Sequence, residues 1–407
     1  MRKPQKLPDR CCAGSRIRRV RMKITRLFEI PVALRLFALS AVVLIPVRSP
    51  VLAEGSRVTG STDADLRIGV LGLFHPVELT VSASAGSALV VRSGEERFVL
   101  ESSGVDSAAI RISDYQVVVT SGNRVVRATE FTATGRKGES ADFVLAVPGR
   151  ITRHYRGTLE IKPSAGSLIA IVAMDRETAV ASVVAAESMP ETPLEALKAQ
   201  AVAARSYLVA SRGRHPEFDF CDTTHCQFLR EPPAPASAAA RAVAATRGLV
   251  LAYDSHPVAA MYTRSCSGHT RTPEEVGLAA AAYPYYSVDC KHCLAHPARW
   301  SSRIPAQDAA TLRSSDESAR LNIDRRLGWS AVPSNDFIVK TERDQIIVTG
   351  TGQGHGIGLC QSGAKAMAEE GADFRQILGH YYPNTMIVNW PAQIWPPPAS
   401  PENRPVR

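Results

Sequence analysis

Between Val183 and Ser211 the chain reads VVAAESMPETPLEALKAQAVAARSYLVAS, and this stretch constrains the fold more than any other. It spells a helix, a break and a second helix. Thr192, Pro193 and Glu195 mark the restart: a hydroxyl at the N-cap, proline in the first helical position, and a carboxylate three residues past the cap. Beyond them Leu194, Leu197, Ala201, Ala204 or Arg205, and Leu208 recur at helical spacing, with small alanines that admit another backbone closely. The second helix is therefore expected to be central and buried. Glu187 closes the apolar run Val183 to Ala186, so a lone carboxylate emerges just before the turn. Desolvation there would raise its pKa and let it give and take a proton near neutral pH. The alternative is a glutamate that faces solvent.

At 407 residues and 45% hydrophobic content, the chain has material for one large or two ordinary domains. A net charge of +9 invites a nucleic-acid reading, but residues 1–53 carry twelve Lys or Arg and two Asp or Glu, a net of +10. The remainder is near neutral, so no nucleic-acid partner is expected. The basic start, the apolar run Leu36 to Val47 and the small residues ending at Ala53 read as an export signal over 1–53, with Met22 as an alternative start. The apolar run is too short to span a bilayer comfortably. Export to a periplasm or cell-wall space follows, and six cysteines beyond the signal suit an oxidising compartment.

Residues 54–155 alternate over short runs, at 67–73, 77–81, 88–91, 97–100, 116–120 and 143–147, with a further run at 158–162. Gly, Ser and Asp separate them, as in a β-rich region with hairpins. Ile169 to Tyr207 reads as helical, and Ala234 to Arg247 as an alanine-rich helix stopped by Gly248. Leu249 to Tyr253 and Pro257 to Tyr262 suggest a hairpin turning at Asp254-Ser255. Strands are expected at 337–340 and 345–349. A glycine-rich loop from Gly350 then leads into a helix near Cys360 to Glu370, and Asp373 with Gln376 caps a last short helix. Residues 391–407 are proline-rich and expected to be disordered.

Several clusters carry potential chemistry. His215, Cys221, His225 and Cys226 place two imidazoles and two thiols within twelve residues, a set that suits tetrahedral zinc. A Cys221–Cys226 disulfide is the competing use. Were all four to bind zinc, no coordination position would stay open, and the ion would be structural. Cys290, Cys293 and His296 form a second candidate, completed by Cys266 or His269; two disulfides among Cys266, Cys290, Cys293 and Cys360 are the alternative. Glycines flank His355 in Gly354-His-Gly-Ile-Gly, permitting positive φ and close approach of amides to a ligand. A packed turn with a satisfied histidine is the plainer reading. The spacing is not that of a dinucleotide loop, and neither G-x-S-x-G nor H-E-x-x-H occurs.

Four segments in order, over Tyr155 to Asn389, resemble the SpoIID/LytB family of bacterial cell-wall proteins: Glu187-Ser-Met-Pro with EALKAQAVAARSY from Glu195, the His215 to Cys226 segment, Tyr262 to Gly268, and Gly354 to Gln361. The resemblance implies an α+β fold, a mixed SpoIID-type core over 156–390 behind the β-rich region. It also implies binding of peptidoglycan glycan strands, with some members acting as lytic transglycosylases and others as enhancers of a cell-wall amidase. The family's catalytic glutamate, eight residues before the glutamate of the EALKAQ block, corresponds to Glu187. Tyr262, His355 and Gln361 correspond to sugar-site positions, and His215, Cys221, His225 and Cys226 to a zinc set near the active site. The chain departs from the pattern in Met-Pro displaced by one position, in a tighter gap before His225-Cys226, in Ser362 where tyrosine is frequent, and in Cys266 and Cys360 where serine is common. In a transglycosylase one carboxyl protonates the leaving oxygen and then deprotonates the muramyl 6-hydroxyl, so a single acid suffices. A metal-dependent wall hydrolase is a third class.

Overall fold

The computed structural model describes residues 65–391 apart from 102, 103, 105, 313–315 and 344. The expected export signal over 1–53 lies outside the described residues, as does the proline-rich tail from 392. Among the described residues no helix is long and apolar enough to cross a membrane.

Each of the seven alternating runs of the N-terminal half contributes a strand, the first ending at Val70 before a short 3-10 turn at Gly72–Phe74, and the alternation is realised as buried and exposed faces, as in Ala141–Val147. They belong to one twelve-stranded, mostly antiparallel sheet that curls into a nearly closed barrel. Its longest strand, Ile151–Ser164, changes partner midway: residues up to Gly157 pair with Ala141–Val147, and those from Thr158 pair with Ser167–Met174. A Cβ at Gly157 would collide with the Ala173 carbonyl, so glycine allows the corner at which the sheet turns. This strand runs through residue 155 without interruption. The sheet therefore continues from the β-rich region into the segment that leads to the helices.

Two expectations at that junction are corrected. Ile169 to Met174 is not helical but lies in the strand Ser167–Met174, and helix α1 (Arg176–Glu187) begins only after Asp175, whose side chain caps it through the amides of Glu177 and Thr178. An uninterrupted apolar run carries no period with which to separate strand from helix. Helix α2 (Leu194–Ala210) starts behind Pro193, not Thr192. The Thr192 hydroxyl donates instead to the Met189 carbonyl at 2.7 Å, closing the turn, while Glu195 pairs with Lys198 at 2.6 Å and accepts the Phe374 amide at 3.0 Å.

Helix α2 is the centre of the molecule. Thirteen of its 17 residues are buried, so packing surrounds it and leaves no broad solvent face. Leu197, Ala201, Ala204 and Leu208 join α1, helix α3 (Ala238–Ala245) and the barrel in one core. Ala196, Ala199, Val202 and Ala203 face a second core with Leu251, Val258, Tyr283, Leu359 and Tyr382. Arg205, fully buried, joins the layers through a bidentate pair with Glu177 at 2.9 and 2.7 Å and a bond to the Leu249 carbonyl at 3.0 Å.

The expected hairpin forms at Leu249–Tyr253 and His256–Pro257, with Asp254 and Ser255 both at positive φ. Tyr262–Thr263, however, leaves it to pair in parallel with Leu359–Cys360. That pairing brings two distant sequence segments together at α2. A small third core lies under the strands Arg299–Pro305, Asp336–Glu342 and Gln345–Thr351 and the helix Glu317–Leu327.

Candidate active site and metal-ligand clusters

Glu187 is the last residue of α1, where the chain leaves its apolar face. Half-buried, its carboxyl is pushed above the ordinary range, first by burial and against the opposing pull of the Phe228 amide, the Arg264 charge and the Tyr262 hydroxyl. The Phe228 amide donates to Oε1 at 2.9 Å, and the Tyr262 hydroxyl approaches the same oxygen at 3.5 Å. Oε2 is thus the oxygen left to carry a proton toward a ligand. The Gln361 side-chain amide donates to the Glu187 backbone carbonyl at 3.1 Å, at the first residue of the helix Gln361–Glu369. Three of the four residues expected at the glycan site thus converge through direct contacts.

His355 sits beside them on the glycine-rich loop. Its Nδ1 accepts the Ile357 amide at 3.0 Å, which places the proton of the neutral ring on Nε2. Burial first, opposed by Glu317, lowers its pKa. It bonds the backbone of Tyr262, the residue whose hydroxyl approaches Glu187. The flanking Gly354, Gly356 and Gly358 all have positive φ, and a Cβ at Gly358 would meet the Met261 carbonyl. Close backbone packing therefore requires these glycines.

Two participants carry no assignment from sequence. Arg264 follows the two-residue strand Tyr262–Thr263 at a bend, and its charge opposes the rise in the Glu187 pKa. Phe228 contributes a backbone amide, which no residue type announces.

Phe228 also links the acid to the first ligand cluster, because it follows Cys226 by two residues. The ligand atoms of His215, Cys221, His225 and Cys226 lie within 4.8 Å of one another. His215 Nε2 is 3.3 Å from Cys226 Sγ, while His225 Nδ1 is 3.5 Å from Cys226 Sγ and 3.7 Å from Cys221 Sγ. A tetrahedral zinc about 2.3 Å from sulfur and about 2.0 Å from nitrogen sets its ligands roughly 3.3–3.8 Å apart, so these residues fit the ion. Both cysteines are free thiols. The loop is anchored to the barrel by the parallel pairing of Phe220–Cys221 with the strand Leu66–Val70 and by the Asp222 carboxylate, which accepts the Leu71 amide at 3.0 Å.

The second candidate is altered. Cys266, Cys290, Cys293 and Cys360 converge, whereas His269 and His296 are exposed and stand apart.

A family model described as Stage II sporulation protein, SpoIID, matches residues 164–253, which include α1, α2 and the first ligand cluster. An uncharacterized protein of Brachyspira hyodysenteriae is 30% identical over 269 residues, covering 58% of this chain and 73% of that protein. Stage II sporulation protein D of Bacillus subtilis is 28% identical over 255 residues, 52% of this chain and 74% of the relative. A protein of the same organism named Amidase enhancer is 26% identical over 275 residues, 48% of this chain but only 38% of its own length.

Proposed function

Starting from the chain's membership of the SpoIID/LytB family, we propose that it is an exported protein that binds peptidoglycan glycan strands and cleaves them as a lytic transglycosylase. The observation that carries this reading is Glu187, a solitary carboxyl whose pKa is raised by burial, with one oxygen engaged by Phe228 and Tyr262 and the other left for a ligand. In the first step Oε2–H protonates the glycosidic oxygen between N-acetylmuramic acid and N-acetylglucosamine. The resulting carboxylate then takes the proton of the muramyl 6-hydroxyl, which attacks the anomeric carbon and closes the 1,6-anhydro ring. Water is not a reactant, so no second carboxylate is required to activate it. Arg264 and Tyr262 stabilise the transient carboxylate, and Gln361 keeps the end of α1 in place.

Zinc held by His215, Cys221, His225 and Cys226 would supply rigidity, since four protein ligands complete its tetrahedron and leave no position for water. The ion would fix the loop from which the Phe228 amide reaches Glu187. This is the reason to favour a bracing ion over a metal-dependent hydrolase.

Similarity to the protein named Amidase enhancer supports a second reading, in which the chain binds glycan and stimulates a cell-wall amidase without cutting. Product analysis separates the two. Incubation with purified peptidoglycan should yield anhydromuramyl ends, and Glu187→Gln should reduce them by about 100-fold or more while retaining the fold. Undiminished ends in that variant would overturn the assignment. Absence of such ends with the unaltered protein, together with stimulation of an amidase, would favour the enhancer.

A further inference from the structure

Apart from Glu187 and the loop beside it, four buried sulfur atoms meet at one place. Cys266, Cys290, Cys293 and Cys360 come from three separate segments, and their Sγ atoms all lie within 4.8 Å of one another. Two disulfides would need only two close couples; mutual convergence of all four sulfurs is the stricter arrangement that a single centre requires. Cys293 and Cys360 are 3.6 Å apart, near the roughly 3.8 Å edge of a tetrahedron of sulfurs bound at about 2.3 Å to one ion.

The surroundings suit thiolates. Cys360 caps the nine-residue helix Gln361–Glu369, and its sulfur accepts the Gly363 amide at 3.4 Å. The Ser265 hydroxyl lies 3.4 Å from Cys293 Sγ, and the Tyr381 hydroxyl 3.4 Å from Cys290 Sγ. Hydrogen bonds of this kind orient ligating sulfurs and spread their charge. A side chain at Gly363 would collide with both Tyr381 and Cys290 Sγ, so glycine leaves room for the cluster. Tetrahedral sulfur ligation, buried away from solvent, suits zinc in a structural role.

We propose that Cys266, Cys290, Cys293 and Cys360 bind one zinc ion as a second metal centre, separate from the His215, Cys221, His225 and Cys226 set. On binding, each thiol releases its proton to solvent and four Zn–S bonds form, leaving a centre of net charge −2 with no change of oxidation state. The centre ties the segment carrying Tyr262 and Arg264 to the helix that begins at Gln361. It thus joins the two walls between which Glu187 is held.

The test uses the full chain purified without chelator, with metal measured by plasma mass spectrometry and each cysteine by differential alkylation. Two equivalents of zinc are expected in the unaltered protein and one in Cys221→Ser/Cys226→Ser. The four cysteines should resist alkylation in the native protein and react after denaturation with chelator alone, without reductant. Cys293→Ser should retain only one equivalent; should it fail to fold, cobalt titration of the Cys221→Ser/Cys226→Ser protein reads the same site, and intense sulfur-to-cobalt charge-transfer bands with tetrahedral d–d bands are expected. Recovery of these cysteines as disulfides, or a folded Cys221→Ser/Cys226→Ser protein that binds neither zinc nor cobalt, would overturn the proposal. Iron in place of zinc would overturn the choice of metal. None of these results depends on whether the protein cuts glycan.

Discussion

At the scale of single residues, the environment of Glu187 makes a prediction about pH. Burial raises its folded pKa above the unfolded value, so between those two values the folded state binds more protons than the unfolded one. Stability should therefore fall as pH rises from the ordinary glutamate value through the raised one, and then level off. Glu187→Gln removes that loss, so its advantage in urea denaturation should grow across the same interval; parallel stability curves would contradict the account. Cleavage should decline over the same range as the acid form is lost. Glu187 was legible because one carboxylate follows four apolar residues, whereas its immediate partners were legible unequally. Tyr262 and Gln361 stood in recognisable segments, Arg264 lay in the same segment as Tyr262 without any role read for it, and the Phe228 amide left no mark in residue type at all.

At the scale of elements, the joint between α1 and α2 depends on Arg205 more than on the break that separates them. Its guanidinium has no exposed surface and spans Glu177 and the Leu249 carbonyl. Removing one partner strands the other, so Arg205→Ala should cost about 3–5 kcal/mol in urea unfolding, and Arg205→Met combined with Glu177→Gln much less. A loss below about 1 kcal/mol would place this pair with ordinary surface bridges. The helical spacing of α2 and the capping box of Asp373 with Gln376 could be read directly, because periodicity and caps are local. The cap at Thr192 could not, since its hydroxyl had a competing acceptor in Met189 three residues back. Nor could the strand Ser167–Met174, buried too completely to show alternation. The strand Arg299–Pro305 and the helix Glu317–Leu327 escaped notice for a different reason. Their core is small, and the helix is held by the buried Glu317, Arg320 and Asp324 cluster rather than by an apolar stripe.

At the scale of the whole molecule, barrel and helices meet at the loop from His215 to Phe228, and the metal prediction belongs there. Cys226→Ser should remove one equivalent of zinc and lower both the melting temperature and cleavage. Chelation of the unaltered protein should lower both as well, with zinc restoring them together. Activity lost at an unchanged melting temperature would instead assign the ion to the chemistry. Closure of the twelve-stranded sheet was not visible in the alternating runs, because it depends on which strands pair and on the corner at Gly157, neither of which hydrophobic pattern encodes. The Phe228 amide has one more implication. Because one donor that steadies the acid comes from the loop beyond Cys226, and not from Tyr262, His355 or Gln361, a molecule need not occupy the expected sugar contacts to disable it. Loosening that loop would release Oε1 of the proton donor while Tyr262 and Gln361 keep their own segments, so an agent of that kind should lower cutting more than glycan binding.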